Sequence, residues 1–144
     1  SQKVKIIYNP VVNDELFIKA NASLNHPWFQ SNYPPVFLAV GRLIELKDFS
    51  TLIKAFALLR KHTNARLLIL GEGHLRSKLE NLAKDLEISE DVSLGGFVEN
   101  PYAYMSRAKA LILSSRSEGL PTVLIEAMAC GCPIISTDCL SGPR

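Results

Sequence analysis

The sequence predicts an α/β fold, a doubly wound and mostly parallel sheet with helices on both faces. Three observations carry that reading. Short, nearly all-apolar runs recur along the chain, at Val36–Val40, Arg66–Leu70 and Ala110–Leu113. A strand that is apolar throughout is one covered on both faces, which is the condition of a parallel sheet. Between these runs lie stretches whose apolar residues fall at helical spacing, so strand and helix alternate. The 144 residues suffice for one domain with a real core, and no repeat or low-complexity tract interrupts the alternation.

In chain order, residues 4–8 (V-K-I-I-Y) read as a strand closed by Asn9-Pro10. From 13 to 35 periodicity fades while Asn, Pro and Ser accumulate. An irregular connection of that length is expected to be functional or to lean on something outside itself. Trp28 and Phe29 within it are expected to pack locally, the alternative being that they face a missing domain. Val36–Val40 is the next strand, followed by the loop 41–47 (G-R-L-I-E-L-K). Asp48 is expected to cap a helix that buries Phe49, Leu52, Ile53, Phe56 and Leu59. His62, near the end of that helix, suits its C-terminal dipole or the solvent. The strand Arg66–Leu70 is closed by Gly71-Glu72-Gly73, and a helix follows with Leu75, Leu79, Leu82, Ala83 and Leu86 on one face. A short strand at 92–94, a Gly95-Gly96 turn and a short helix from Pro101 lead to the strand Ala110–Leu113. Pro121 then fits the first turn of a helix that Gly131 and Pro133 end. Val123, Leu124, Ile125, Ala127, Met128, Ala129 and Cys130 make this helix apolar on every side, so it is expected to be buried. Residues 133–136 form the last strand.

Composition narrows the function classes. At 47% hydrophobic and 21% charged residues, the chain is neither collagenous nor disordered. A net charge of +2, with no Lys/Arg stripe interleaved with aromatics, argues against nucleic acid as a partner. No apolar run approaches the roughly 20 residues of a membrane-spanning helix, and no signal peptide is visible at Ser1. Cys130, Cys132 and Cys139 form a C-x-C pair plus one, without zinc spacing. They read as reduced core residues, no metal site is expected, and a cytoplasmic location fits.

Ligands of a doubly wound sheet bind outside the carboxyl ends of its strands, here the loops 41–47, 71–73, 95–100 and 114–120. Arg42 and Lys47 stand in the first as a clamp for a diphosphate, Arg as a fork and Lys as a point charge; two solvated cations is the plainer alternative. Gly71-Glu72-Gly73 lacks the third glycine or alanine of a dinucleotide fingerprint, because Arg76 stands there. Its glycines read instead as a tight turn that lets backbone approach a ligand, and His74 beside it reads as a surface helix residue. Glu126 is the one charge in an apolar helix and requires a partner or a task. Glu118 sits just ahead of that helix, whose N-terminus between the two carboxylates suits an anion. Glu118 and Glu126 could be the acid/base pair of a hydrolase. Bracketing a helix N-terminus places them better for holding hydroxyls beside a phosphate.

The spacing of Glu118 and Glu126, with seven residues between them and running into A-M-A-C-G-C-P-I-I-S-T-D, resembles the nucleotide-binding half of retaining glycosyltransferases of family 4, in the GT-B class. Asn9-Pro10-Val11, Gly41-Arg42-Leu43 with Lys47, and Gly71-Glu72-Gly73 precede it in the family's order, so the resemblance runs from Asn9 to Thr137. It implies a Rossmann-like domain, one half of a GT-B enzyme, that moves a hexosyl or N-acetylhexosaminyl group from a nucleoside diphosphate sugar, UDP favoured over GDP. The acceptor would be a sugar or a lipid-linked glycan, with neither a metal nor a further cofactor. Residues 1–144 would be the donor-binding domain, short of its C-terminal end, with an N-terminal acceptor domain absent. Alone the chain is expected to bind without catalysing. In the full-length enzyme the location would be cytoplasmic, extending to the cytoplasmic face of a membrane. Residue by residue, Gly41, Arg42 and Lys47 match the family's phosphate-binding pattern, although many relatives carry Gly where Asp48 stands. Gly71 belongs to the second loop, and Phe97-Val98 corresponds to the segment along the nucleotide base. The amides of Gly119, Leu120 and Thr122 would receive the diphosphate, Pro121 having none to give, with Ser117 a lesser candidate. Glu126 would bind the ribose hydroxyls and Glu118 the transferred sugar, and Glu118, Arg42 and Lys47 make up the catalytic set. Two other classes stay open: a nucleotide-sugar sensor without transferase activity, and a dinucleotide-binding dehydrogenase domain.

Overall fold

The structure, a computed structural model, describes residues 14–114 and 122–136, with the backbone alone for 122–124 and 136. The strand expected at 4–8, the Asn9-Pro10 turn, and Ser117, Glu118, Gly119, Leu120, Pro121 and Cys139 lie outside the described residues. Among those described, β1 (Val36–Val40), β2 (Arg66–Leu70), β3 (Val92–Gly96), β4 (Ala110–Leu113) and β5 (Ile134–Ser136) form one sheet in the order β3-β2-β1-β4-β5. Every neighbouring pair runs parallel. The strand order reverses between β1 and β4, so the loops after these two strands leave the sheet at its topological switch point.

Alternation along the strands feeds two cores. Phe37 and Ala39 of β1, Leu67 and Ile69 of β2, and Ala110 and Ile112 of β4 share one cluster with Phe49, Leu52, Ile53 and Phe56 of α2 (Phe49–Arg60) and Leu79 and Ala83 of α3 (Arg76–Asp85). Val36, Leu38, Leu68, Leu70 and Leu111 point the other way, toward Met105 of α4 (Pro101–Met105), Ala127 of α5 (Thr122–Ala129) and Cys132. Side chains of period two, apolar on both faces, are what a doubly covered sheet requires. Each fully buried Leu, Ile or Phe contributes about 1.5–3 kcal/mol relative to exposure.

Four expectations are corrected. The stretch 13–35 is not wholly irregular: α1 (Asp14–Ala20) and a 3-10 turn, Pro27–Phe29, lie within it. Seven residues show too little periodicity to stand out in sequence, and the carbonyls at and just after the end of α1 depend on residues flanking α4. Asn100 Nδ2 donates to Lys19 O at 2.9 Å and Ser106 Oγ to Ala20 O at 2.8 Å, while Arg107 Nη2 reaches Ala22 O at 2.8 Å. Trp28 does pack locally, partly buried against the second core, with the Arg66 guanidinium 5.0 Å from its ring centroid.

Second, Asp48 precedes α2 but does not cap it through its side chain. Its backbone is left-handed (φ 54, ψ 44), closing the 3-10 turn Glu45–Lys47, and its Oδ1 accepts from Thr51 Oγ1 at 2.9 Å. An N-cap carboxylate reaches the first amides from extended backbone, which Asp48 lacks. Third, α5 is not buried on every side. Ala127 is enclosed, yet Met128 is 56% exposed. Fourth, the α3 face ends sooner than its pattern: Leu86 follows the helix and is exposed, and His74 lies in the turn before it.

Candidate functional site

The glycines after β1 and β2 exist for each other. Gly71 has φ 148, and a Cβ on it would overlap the Gly41 carbonyl oxygen; one on Gly73 would overlap the Leu43 backbone. With no side chains between them, the two loops bond directly, Gly41 N to Leu70 O at 2.9 Å, Leu43 N to Glu72 O at 2.9 Å and Leu75 N to Leu43 O at 3.1 Å. The close approach expected of the 71–73 turn is therefore made to the 41–43 backbone. A third loop joins through Gly71 N and Gly96 O, 2.8 Å apart. Arg76, where a dinucleotide fingerprint has glycine, donates to both Glu72 oxygens, to Glu80 and to the Leu94 carbonyl, pinning the second loop to β3. His74 and Glu45, 3.0 Å apart, tie the second loop to the first, and this bond holds Glu45 below the ordinary carboxylate range.

These joined loops frame a cleft of 420 Å³ at the carboxyl ends of β1, β2 and β3, lined by Val40, Gly41, Arg42, Leu70, Gly71, Glu72, Phe97, Val98 and Pro101. It brings together five expected site residues from three separate loops: Gly41, Arg42, Gly71, Phe97 and Val98. Phe97 is 76% exposed at the rim, an apolar ring offered to a flat partner. Arg42 is exposed, and among the described residues it makes no ion pair. Lys47 does not line the cleft but folds back over its floor: a Cβ on Gly41 would stand 3.3 Å from Lys47 Cε. The Lys47 carbonyl accepts from the buried Ser114 Oγ at 2.8 Å. That bond joins the loops after β1 and β4 across the switch point. A larger recess of 680 Å³ lies at the other end of the sheet, between Lys54, Arg60 and Lys61 of the α2 end and Asp85 to Asp91. It gathers none of the expected residues, and its Asp91 already holds Arg60 and Arg66.

Glu126 lies outside the cleft lining. Its Oε2 accepts from Tyr102 Oη at 2.9 Å, and Tyr102 follows Pro101 of the cleft wall. The partner that a carboxylate in an apolar helix demands is thus Tyr102. Burial first, and the Glu126 hydrogen bond second, push the Tyr102 phenol up to about 12, so it stays a donor at ordinary pH. Thr122 begins α5 at the carboxyl side of β4; Glu118, Gly119 and Leu120, expected beside it, are outside the described residues. Sequence reasoning missed Tyr102 and Ser114. A polar-tipped aromatic beside an unmatched carboxylate was the available signal for the first, but 24 positions separate the pair. No local pattern marks the second.

Among the described residues no group of His, Cys, Asp and Glu is placed to hold a metal ion, and no helix is long and apolar enough to cross a membrane. Burial pushes the Cys130 thiol up, and that of Cys132 to about 11, consistent with packed thiols rather than reactive ones.

Known proteins share this fold. The chain is 38% identical over 143 residues to an N-acetylgalactosamine-N,N'-diacetylbacillosaminyl-diphospho-undecaprenol 4-alpha-N-acetylgalactosaminyltransferase of Campylobacter jejuni, a match covering 99% of this chain and 37% of that one. Among solved structures it is similar to the lipopolysaccharide outer core galactosyltransferase WaaB in its apo form, at 36% identity and a TM-score of 0.66, over 80% of this chain and 33% of that one. It is also similar to the pneumococcal O-GlcNAc transferase GtfA in complex with UDP and GlcNAc, at 26% identity and a TM-score of 0.68, over 72% of this chain and 20% of that one. The chain spans about a third of the length of the curated relatives it matches. The family model described as "Glycosyl transferases group 1" matches residues 25–144, and with the parallel sheet and its switch-point loops this decides the family: the chain belongs to the group 1 glycosyltransferases, retaining enzymes of the GT-B class, and corresponds to their C-terminal part.

Proposed function

We propose that this chain is the donor-binding part of an enzyme that transfers a sugar from a nucleoside diphosphate sugar, UDP-linked in preference to GDP-linked, to an acceptor sugar or lipid-linked glycan. The observation that carries the reading is the convergence of Gly41, Arg42, Gly71, Phe97 and Val98 on one cleft beside the switch point. Phe97 and Val98 offer an apolar wall for a base. Arg42, with Lys47 behind Gly41, offers positive charge for a diphosphate. Charge building on the departing diphosphate would be offset by Arg42, Lys47 and the first amides of α5, Thr122 among them, without a metal. Glu126 would hold the ribose hydroxyls and Glu118 the transferred sugar. The similar pneumococcal O-GlcNAc transferase, in complex with UDP and GlcNAc, supports a UDP donor. The remainder of a full-length enzyme would supply the acceptor side, so residues 1–144 alone would bind donor without turning it over. We place that enzyme in the cytoplasm, at the cytoplasmic face of a membrane where the acceptor is lipid-linked.

Titration with UDP followed by amide chemical shifts tests this. With only part of a cleft present, a dissociation constant of about 0.1–1 mM is expected, with shifts in 41–47 and in Phe97 and Val98. Arg42→Ala should weaken UDP about tenfold, the scale of one charge-assisted hydrogen bond. UDP at several millimolar leaving both segments unmoved would overturn the donor-site reading.

A further inference from the structure

The Tyr102–Glu126 contact has a geometry that packing alone does not require. Glu126 stands on α5, whose sheet-facing side is closed by Ala127. Its carboxylate is held through one oxygen, with Oε2 taken by the phenol at 2.9 Å and, among the described residues, no hydrogen bond to Oε1. The phenol is itself held. It sits at the start of α4, directly after Pro101 of the cleft wall, its ring is partly buried against the second core, and the Lys19 ammonium lies 5.9 Å from its centroid. A carboxylate on an i,i+4 spaced aliphatic helix would otherwise turn freely about its side-chain torsions, at a cost of about 1–2 kcal/mol when a ligand fixes it.

We infer that Tyr102 is a positioning residue: it occupies Oε2 of Glu126, fixes the rotamer, and leaves Oε1 directed to a vicinal diol of the ligand. This rests on the donor-site reading above. It couples the wall that faces a base, through Pro101 and Tyr102, to the carboxylate that faces a ribose, so both parts of a nucleoside are set by one rigid element. Tyr102 touches no reacting atom. Its effect is on binding of the diol, and phosphate contacts are independent of it.

The test is a shift titration of the 144-residue chain and its Tyr102→Phe, Glu126→Gln and doubly substituted variants with UDP and with 2′,3′-dideoxy-UDP, which lacks the diol. Tyr102→Phe keeps the ring and its packing, and a melting curve confirms each fold. Wild type should prefer UDP. Tyr102→Phe should weaken UDP about tenfold, the lower end for a hydrogen bond to a charged group, and leave dideoxy-UDP within about twofold. In the Glu126→Gln background, Tyr102→Phe should add nothing, since the two act as one unit. Equal weakening of both nucleotides by Tyr102→Phe would make the tyrosine merely structural and overturn the inference, as would unchanged UDP affinity. Failure of wild type to bind UDP at all would instead remove the donor site itself, and the role of Tyr102 with it.

Discussion

The two faces of the sheet are built on different terms. The α2/α3 face is an apolar cluster in which Phe37, Phe49, Phe56, Leu43 and Leu79 are all but inaccessible, and two amphipathic helices cover it. Among the described residues, the α4/α5 face has fewer fully buried ones, and around them stand groups with polar tips: Trp28, Tyr102, Tyr104 and Cys130. His26, Phe29 and Tyr104 meet edge to face there, and burial holds His26 below its ordinary range. The first face is invested in stability. The second combines packing with groups that bond, titrate and adjoin the cleft, and it is where Glu126 finds its partner.

The largest expected effect separates the faces by stability. Phe56→Ala empties the centre of the α2/α3 cluster, and denaturant unfolding should show a loss of about 3–5 kcal/mol. Tyr102→Phe on the other face should cost far less while changing nucleotide preference. A loss below about 1 kcal/mol for Phe56→Ala would erase the distinction.

Alkaline pH should distinguish the faces next. Cys132 is pushed up to about 11 by burial first and its neighbour Cys130 second, and Tyr102 to about 12. A raised pKa in the folded state means that folding favours the protonated group. That stabilisation is complete below the ordinary thiol value of 9.0 and is lost as pH climbs toward 11. Hydrogen exchange above pH 9 should therefore loosen α5 and β5 before α2, and Cys132→Ala should reduce the difference. Uniform loosening of both faces would contradict it.

The smallest effect lies at the entrance to α2. Asp48 holds left-handed backbone, which a Cβ disfavours by about 1–2 kcal/mol, and its bond to Thr51 offsets part of that. Asp48→Gly should be more stable than Asp48→Ala by about 1 kcal/mol in thermal unfolding. Equal stability of the two variants would remove strain as the reason.

The periodicities of the chain determined most of the fold. Short apolar runs such as Phe37 to Val40, closed by a glycine, fit a doubly covered strand, and the Phe49, Leu52, Ile53, Phe56 spacing fits a helix on a core. Glu126 was legible as a candidate because it breaks an apolar pattern, and Gly41 and Gly71 because they sit where a strand must end, whereas Arg42 and Lys47 were singled out by the resemblance to a family's phosphate-binding pattern. The tertiary structure decided what those residues meet. That Gly71 serves the Gly41 carbonyl, that Ser114 ties the Lys47 backbone, and that Tyr102 answers Glu126 are contacts between distant segments, and no period in a sequence encodes a distant partner. The same limit hid α1, which depends on the Asn100, Ser106 and Arg107 side chains flanking α4, and it hid the exposure of Met128. A uniformly apolar helix contains no record of which side the sheet will take, because that choice belongs to the packing of whole layers.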